Sequence, residues 1–227
     1  MAWYTEKNTT KLGRLILPKN KIKMHEYTIF NGKLIGDFEG LYRSFKDPFT
    51  QSKKEKFETS KAAIINYCNL LQEKQKKKLI TLEIGCGFGQ LTEKLAKLGF
   101  KAFGTDISET AIKKAKARSQ KNQKNFFTSK FSNYSLYTKI NPDIIILSEI
   151  TWYVLPELKS FIKFIKKKFK NKYLIHSLAI YYPGQQKYGK EYFTNNNEIL
   201  KFFNLKYIEW GEKWNKEEGR TFFLAEI

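Results

Sequence analysis

From residue 79 onward, apolar stretches that suit β-strands alternate with segments of helical periodicity. The predicted elements follow in the order strand 79–84, helix 90–98, strand 101–105, helix 109–119, weak strand 125–128, strand 143–148, helix 155–169, strand 172–178 and helix 196–203. Such alternation is typical of a mostly parallel sheet with helices on both faces. The run from Ile144 to Leu147 is apolar without a break, which predicts a strand buried on both sides.

Two further strands are predicted near 205–210 and 221–226, with no helix between them. Because only the polar segment 211–219 joins them, we expect them to pair antiparallel. The closing hairpin is therefore expected to add an antiparallel strand at the edge of the sheet.

The part of the chain before the alternation has a different pattern. An Asn31-Gly32 pair between short apolar runs predicts a small hairpin, and residues 38–45 are expected to form a short helix. A helical pattern then runs from Lys54 to about Gln75. We therefore expect an N-terminal extension over residues 1–53 and one α/β domain over residues 54–227.

Composition limits the class of protein. A hydrophobic content of 41% with 16% aromatic residues indicates a folded globule. The only cysteines are Cys68 and Cys86, so neither a disulfide framework nor a metal site is expected, and a reducing cytoplasm fits best. The longest aliphatic runs are too short to cross a bilayer, and the first residues lack the apolar core of a secretion signal.

The formal net charge of +20 has two interpretations. It could serve an anionic partner such as a nucleic acid or a phosphorylated metabolite, or it could reflect lysines spread over solvated helix faces. Arginine, the residue best suited to phosphate and guanine contacts, occurs only four times, and the lysines recur in separate stretches. Both observations favour the second interpretation, and a small anionic substrate remains compatible with it.

The segment Leu82 to Gln90, Leu-Glu-Ile-Gly-Cys-Gly-Phe-Gly-Gln, ends the first strand of the alternation and opens a helix. Glycines at alternate positions let the chain turn sharply and let a ligand approach the main chain. The dinucleotide pattern Gly-x-Gly-x-x-Gly would need a glycine where this chain has Gln90. The carboxylate of Glu83 also suits a ligand with ammonium and sulfonium groups better than one with a pyrophosphate.

Asp106 ends the next predicted strand, in Phe-Gly-Thr-Asp-Ile-Ser. A carboxylate at this point can accept both hydroxyls of a ribose. The alternative role is that of a helix N-cap, which Ser108 could fill instead.

With this spacing of glycines and acid and with the closing hairpin, residues 54–227 resemble the class I (Rossmann-like) S-adenosylmethionine-dependent methyltransferases. The resemblance implies an α/β fold with a seven-stranded, mostly parallel sheet of order 3-2-1-4-5-7-6 and helices on both faces. It also implies S-adenosylmethionine as cofactor, with S-adenosylhomocysteine as product. The cofactor contacts that follow from it are Glu83, Gly85, Cys86, Gly87, Phe88 and Gly89 for the methionine part, Asp106 for the ribose, and Ile107, Ser129 and Phe131 for the adenine.

The substrate is expected beyond the carboxyl ends of the strands. Glu149 could act as a base or orient the acceptor, or it could instead bond to nearby backbone. His176 could deprotonate a hydroxyl, or it could be a buried histidine at a strand end. Candidate substrate contacts are Trp152, Tyr153, Tyr181, Tyr182, Gln185, Gln186 and Tyr188, with a core role open for one of the first two.

The N-terminal extension, with Tyr42 and the Asp47-Pro48-Phe49 turn, is expected to form a lid. Methyl transfer is a displacement at a sulfonium carbon, so alignment and exclusion of water can supply much of the rate. A general base is needed only when the acceptor is protonated at working pH.

Three functions compete at this point. The first is a small-molecule O-methyltransferase, because Ser-Glu-Ile-Thr-Trp-Tyr and Tyr-Pro-Gly-Gln-Gln-Lys-Tyr-Gly resemble methyltransferases of bacterial capsule and surface-polysaccharide biosynthesis, including the O-methyl phosphoramidate type. The second is an RNA methyltransferase, which would need a contiguous basic face beside the site. The third is a binding module that keeps the cofactor fold without turnover.

Overall fold

The structure is a computed structural model that describes residues 23–49, 59–119 and 121–227. The predicted N-terminal extension therefore lies partly outside the described residues, and so does the start of the helix that was predicted from Lys54. The described residues of the predicted extension include a short 3-10 helix (Met24–Tyr27), the strands β1 (Ile29–Phe30) and β2 (Lys33–Leu34), and the helix α1 (Phe38–Ser44). The two strands form the hairpin that the Asn31-Gly32 pair predicts.

The rest of the described chain alternates between strands and helices, as predicted. In chain order the elements are α2 (Thr59–Gln75), β3 (Ile80–Ile84), α3 (Gln90–Lys97), β4 (Lys101–Asp106), α4 (Glu109–Arg118), β5 (Phe126–Thr128), α5 (Tyr134–Ile140), β6 (Ile144–Ser148), α6 (Leu155–Lys168), β7 (Tyr173–Ile180), α7 (Asn196–Phe203), β8 (Lys206–Trp214) and β9 (Gly219–Glu226). Helix α5 was not predicted from the sequence. It begins at an Asn133 cap, whose side chain accepts the main-chain N–H of Leu136 at 3.3 Å.

The seven strands β3 to β9 form one sheet in the order β5-β4-β3-β6-β7-β9-β8. Renumbered from the first strand of this sheet, the order is 3-2-1-4-5-7-6, which confirms the predicted topology. Strands β3 to β7 are parallel, and β9 is antiparallel to both of its neighbours.

The prediction of an antiparallel strand at the edge was wrong in one respect. The antiparallel strand β9 lies inside the sheet, and the edge strand β8 runs parallel to the central strands. Burial explains the arrangement, because Phe223, Leu224 and Ala225 of β9 are buried, whereas most of β8 is exposed. The more apolar strand of the hairpin takes the covered position.

The core lies on both faces of the sheet. On one face, Ile145 and Leu147 of β6 pack with Phe161 and Ile165 of α6. On the other face, Ile144 and Ile146 of the same strand pack with apolar residues of α2 and α3. The unbroken apolar run in β6 is therefore explained by burial on both sides, as predicted.

The topology brings the carboxyl ends of β3, β4, β6 and β7 to one edge of the sheet, and α1 packs beside α4 at that edge. None of the helices in the described parts of the chain is long and apolar enough to cross a membrane. Within those same residues, no cluster of three or more His, Cys, Asp or Glu side chains could hold a metal ion.

Candidate active site

The glycine-rich turn connects β3 to α3. Gly85, Gly87 and Gly89 have φ angles of 76°, 52° and 69°, a left-handed conformation that favours glycine. The turn is tied to the neighbouring strand, because the main-chain N–H groups of Gly85 and Cys86 donate to the Thr105 carbonyl at 2.7 and 2.9 Å. A Cβ at Gly85 would lie 2.4 Å from Cγ2 of Ile150, so this position has no room for a side chain.

Several residues of the turn serve the protein's own packing. A Cβ at Gly89 would lie 2.5 Å from the Phe126 ring, so this glycine permits close helix packing. The Cys86 side chain is buried against Ile112, Ala115 and Phe126. Its predicted cofactor contact can therefore come only from the main chain.

The ring of Phe88 also packs against the protein itself. It packs 5.2 Å from the Tyr42 ring of α1, and Nζ of Lys114 lies 4.8 Å from its centre. Phe88 therefore attaches the glycine turn to the N-terminal helix.

Asp106, at the end of β4, holds the turn from the other side. Its Oδ2 accepts the N–H of Gly87 at 2.8 Å, and its Oδ1 accepts the N–H of Ser108 at 2.9 Å. Burial raises the pKa of this carboxyl, although hydrogen bonds from main-chain N–H groups oppose the effect. Ser108 caps α4 by accepting the N–H of Ala111 at 3.0 Å, so the alternative role of Asp106 as N-cap is excluded.

Glu83 lies one residue before the end of β3 and is buried. Its Oε2 accepts hydrogen bonds from both the main-chain N–H and the hydroxyl of Thr92 in α3. Burial raises the pKa of Glu83 to about 7, and the Thr92 hydroxyl and the charge of Lys61 oppose the rise. A buried carboxylate at this pKa would be stabilised in its ionised form by a cationic ligand.

Beyond Asp106, the structure separates the three residues predicted for adenine. The side chain of Ile107 is 52% exposed, and it lies directly after Asp106. Ser129 is held at the end of β5 by donating its N–H to the Asp106 carbonyl at 2.8 Å. The ring of Phe131 packs 4.7 Å from the Phe161 ring inside the core, so the predicted adenine contact of this residue would have to come from its main chain.

Glu149 follows β6 and has a φ angle of 60°, which costs energy for a residue with a side chain. Its Oε2 accepts the N–H of Ala179 at 2.8 Å, and its Oε1 accepts the hydroxyl of Ser60 at 3.0 Å. Nε of Arg220 lies 3.5 Å from Oε1. Burial raises the pKa of Glu149, and the charge of Arg220 opposes the rise. The carboxylate therefore accepts a hydrogen bond from nearby backbone, which was one of the two roles considered for it. It also lies at the carboxyl end of β6, where the substrate is expected.

The interpretation of His176 as a base was wrong. The side chain is fully buried, with its ring stacked 4.8 Å from the Phe223 ring and tilted against the Phe203 ring at 4.9 Å. Its Nε2 shares a hydrogen bond of 2.8 Å with the hydroxyl of Thr151. Burial lowers the pKa of His176 to about 3, so it is neutral at working pH and cannot reach an acceptor.

The loop after β7 contains both packing residues and candidate substrate residues. Gln186 is buried and donates to the carbonyls of Tyr188 and Phe193 at 2.9 Å each, which contradicts its predicted role in substrate binding. Tyr188 is partly buried against the core. Trp152 is also a core residue, because its side chain is buried. Its Nε1 donates to the Ala179 carbonyl at 2.8 Å.

The remaining candidates keep an accessible surface. Tyr181 and Gln185 are exposed, and Tyr153 is half-buried. Burial is the main cause that raises the pKa of Tyr153 to about 12, and the neighbouring Tyr181 adds to the rise. Tyr182 donates to the Asn215 carbonyl at 2.6 Å and so fastens this loop to the closing hairpin.

Sequence reasoning missed three residues of this region. Ser60 and Arg220 hold Glu149, and Glu39 of α1 bonds to the start of α4. Arg220 could have been noticed as one of only four arginines. Neither Ser60 nor Glu39 carries a signal, because each meets its partner only in the folded chain.

Residues 82–171 match the family model described as a methyltransferase domain. The magnesium protoporphyrin IX methyltransferase of Synechocystis PCC 6803, with bound SAH, aligns at 18% identity and a TM-score of 0.54 over 73% of this chain and 82% of its own. The N-methyltransferase NodS of Bradyrhizobium japonicum WM9 aligns at 17% identity and a TM-score of 0.53, over 74% of this chain and 97% of its own.

The bifunctional kinase-methyltransferase WbdD aligns at 16% identity and a TM-score of 0.57, over 74% of this chain but only 39% of its own. A comparison with curated protein sequences gives no match. The structural likenesses show the fold, and the family match covers the glycine turn, Asp106 and Glu149. Residues 82–171 are therefore similar to a methyltransferase domain, and the chain shares its fold with methyltransferases of known structure, one of them with bound SAH.

Proposed function

We propose that the chain transfers a methyl group from S-adenosylmethionine to an oxygen atom of a small acceptor molecule. One observation carries the proposal: the glycine turn, Asp106 and Glu149 follow the neighbouring strands β3, β4 and β6 at one edge of the sheet. Ligands of open α/β sheets bind beyond the carboxyl ends of the strands. A cofactor held by the first two features would therefore lie beside the third.

The residues at this edge fit the cofactor. Each carboxylate oxygen of Asp106 accepts one main-chain N–H in the structure and keeps a further lone pair for a ribose hydroxyl. The exposed side chain of Ile107 offers an apolar contact for a purine. The main chain at Gly85 and Gly87 can approach the amino-acid tail, and Glu83 provides negative charge for its ammonium group. When bound, the cofactor supplies an electrophilic methyl group.

Glu149 is the proposed general base for a hydroxyl acceptor. Its strained backbone and its bonds to Ala179 and Ser60 fix the carboxylate at the end of β6. The raised pKa of this half-buried carboxyl makes it a better proton acceptor than an exposed glutamate. Tyr153, Tyr181, Tyr182 and Gln185 are the proposed substrate contacts near it.

We propose an anionic acceptor, either phosphorylated or linked to a nucleotide or sugar, in capsular polysaccharide biosynthesis. The net charge of +20 is compatible with an anionic partner, and Arg220 brings a guanidinium group to Glu149. In the structure Arg220 also pairs with Glu218 at 2.7 Å. An acceptor phosphate would replace Glu218 in this pair, because guanidinium binds phosphate through two parallel hydrogen bonds. Both cysteines are free, in keeping with a cytoplasmic location for this chemistry.

Residues 1–53 are proposed as a lid on the domain formed by residues 54–227. Among the described lid residues, the rings of Phe38 and Phe49 lie 5.0 and 6.5 Å from the ring of Tyr153. The ring of Tyr42 lies 5.2 Å from that of Phe88 in the glycine turn. This aromatic roof, formed by Phe38, Tyr42 and Phe49, would exclude water from the methyl-transfer path.

Transfer from radiolabelled S-adenosylmethionine to a panel of acceptors tests the proposal. The panel contains sugar phosphates, nucleotide sugars, the corresponding neutral sugars and unmodified transfer RNA. Labelling of a phosphorylated acceptor, lost in Glu149→Gln and retained in Glu109→Gln, is the expected result. Labelling of neutral sugars alone would contradict the anionic acceptor, and cofactor binding without labelling of any acceptor would favour a binding module.

Methylation of RNA is the second candidate function, and the net charge of +20 is the observation that favours it. The lysines of the last turn of α6, Lys166, Lys167 and Lys168, lead into the start of β7 and so lie at the edge of the sheet opposite the proposed site. An RNA enzyme of this kind would bind RNA with an affinity that falls steeply as salt increases. Labelling of the transfer RNA in the panel would support this alternative against the small acceptor.

A further inference from the structure

Glu39 of α1 makes an unusual set of contacts with the start of α4. Its Oε2 accepts the hydroxyl of Ser108 at 2.7 Å and the N–H of Thr110 at 3.1 Å. Its Oε1 accepts the hydroxyl of Thr110 at 2.7 Å. One side chain of the N-terminal extension therefore satisfies three donors in the first turn of a helix about 70 residues further along the chain.

These contacts continue into the proposed cofactor site. Ser108 is fully buried, and its N–H donates to Asp106, whose other oxygen accepts the N–H of Gly87. A continuous series of hydrogen bonds thus runs from Glu39 through Ser108 and Asp106 to the glycine turn. Ser108 is therefore held from two sides, by Glu39 through its hydroxyl and by Asp106 through its main-chain N–H.

Helix α4 makes a second contact with the N-terminal extension and with the glycine turn, through Lys114. Nζ of Lys114 in α4 donates to the carbonyls of Tyr42 and Lys46 at 3.3 and 3.4 Å, and it lies over the ring of Phe88. Helix α1 is therefore attached to Asp106, the proposed ribose ligand, through Glu39 and Ser108, and it is attached to the glycine turn through Tyr42.

The Glu39 carboxylate is not required for the local structure of α1. Asp37 caps that helix by accepting the N–H of Gly40 at 2.8 Å. The contact of Glu39 within its own helix is a pair with Arg43 at 2.7 Å, and Arg43 is largely exposed. The hydrogen bond from Ser108 contributes most to lowering the pKa of Glu39 to about 2, so the side chain is ionised at working pH.

We infer that Glu39 is a positioning residue for the cofactor: it orients Asp106 through Ser108 and docks α1 beside the nucleoside site. The inference rests on the proposed function, because it requires Asp106 to bind the ribose. Coupling of this kind is reciprocal, so a bound nucleoside stabilises the docked helix by the same factor by which docking tightens nucleoside binding.

Calorimetric titration with S-adenosylhomocysteine tests the inference on full-length protein. We expect Glu39→Ala to bind about tenfold more weakly than wild type, within the range common for coupled sites. The matched control is Glu109→Ala, which removes an exposed carboxylate of α4 that pairs with Lys113 in the described part of the chain, and we expect its affinity to stay within about twofold. Wild-type affinity in a folded Glu39→Ala protein would overturn the inference, whereas no binding by wild type would overturn the proposed function instead.

A double-mutant cycle separates positioning from a loss of general stability. If Glu39 acts through Asp106, Glu39→Ala has little further effect once Asp106→Asn is present, because residues of one network are not additive. A full tenfold loss in the Asp106→Asn background would overturn the inference.

Hydrogen exchange on wild-type protein provides a measurement that needs no variant. Saturation with S-adenosylhomocysteine should slow the exchange of the α1 amides at residues 41–44, whose docked state the ligand favours. Unchanged exchange in α1, together with slower exchange at Gly87, would show binding without coupling and would overturn the inference.

Discussion

Replacing Glu83 by glutamine should change how the stability of the protein depends on pH. The pKa of Glu83 is raised from 4.5 to about 7 in the folded chain, so between these values the folded state holds a proton that the unfolded chain releases. The free energy of unfolding of wild type must therefore fall as the pH rises through this window. At 1.36 kcal/mol per pKa unit, the whole fall due to Glu83 is about 3 kcal/mol.

Glutamine keeps an oxygen that can accept the N–H of Thr92 but does not titrate. Glu83→Gln should therefore gain stability relative to wild type as the pH rises from 4.5 to 7.5, by up to about 3 kcal/mol. Urea unfolding at four pH values across this range, without ligand, measures the difference, and other titrating groups cancel between the two proteins. Glu109→Gln, on the exposed start of α4, controls for the loss of one charge. Parallel stability curves for Glu83→Gln and wild type would refute the burial argument.

Three further predictions concern the site. Asp106→Ala should weaken S-adenosylhomocysteine binding by roughly 1–3 kcal/mol in calorimetry through lost hydroxyl contacts, and unchanged affinity in a folded variant would exclude the ribose role. Glu149→Gln should lower methyl transfer by about 100-fold or more without changing cofactor affinity, whereas His176→Gln should leave the rate and its pH profile intact; the reverse pattern would restore the histidine as base. Gly85→Ala should lower the free energy of unfolding by about 2–4 kcal/mol, because φ is positive at this position and the added Cβ would collide with a neighbouring side chain. Gly184→Ala, which also has a positive φ but open space around it, should lower the free energy of unfolding by about 1 kcal/mol. Equal losses in the two variants would contradict the steric argument.

The sequence predicted the order of elements and the location of the cofactor edge. The strands could be identified because a strand that is covered on both faces is a continuous apolar run, as the segment from Ile144 to Leu147 shows. Asp106 could be singled out as a candidate ribose ligand because strand ends and glycine turns leave local signals in the sequence. Helix α5 was missed because it has only seven residues, with a capping asparagine at each end, Asn133 and Asn141, as its local marks.

Side-chain direction could not be predicted in the same way. The composition of the glycine turn indicates what its main chain does, but the directions of Cys86 and Phe88 depend on α4 and on the N-terminal helix. His176 lies on a strand whose burial is completed by β9 and α7, so its neighbours Phe223 and Phe203 are distant in sequence. The placement of β9 inside the sheet likewise depends on comparing the burial of two strands, which only the assembled sheet reveals.

A crystal structure of the protein with S-adenosylhomocysteine is the most direct test of the central claim. The ribose hydroxyls should lie within hydrogen-bonding distance of the Asp106 carboxylate, with the amino-acid tail over Gly85 and Gly87 and the sulfur directed towards the end of β6. A nucleoside bound elsewhere, or a dinucleotide that binds at this edge while S-adenosylhomocysteine does not, would contradict the assignment of the site.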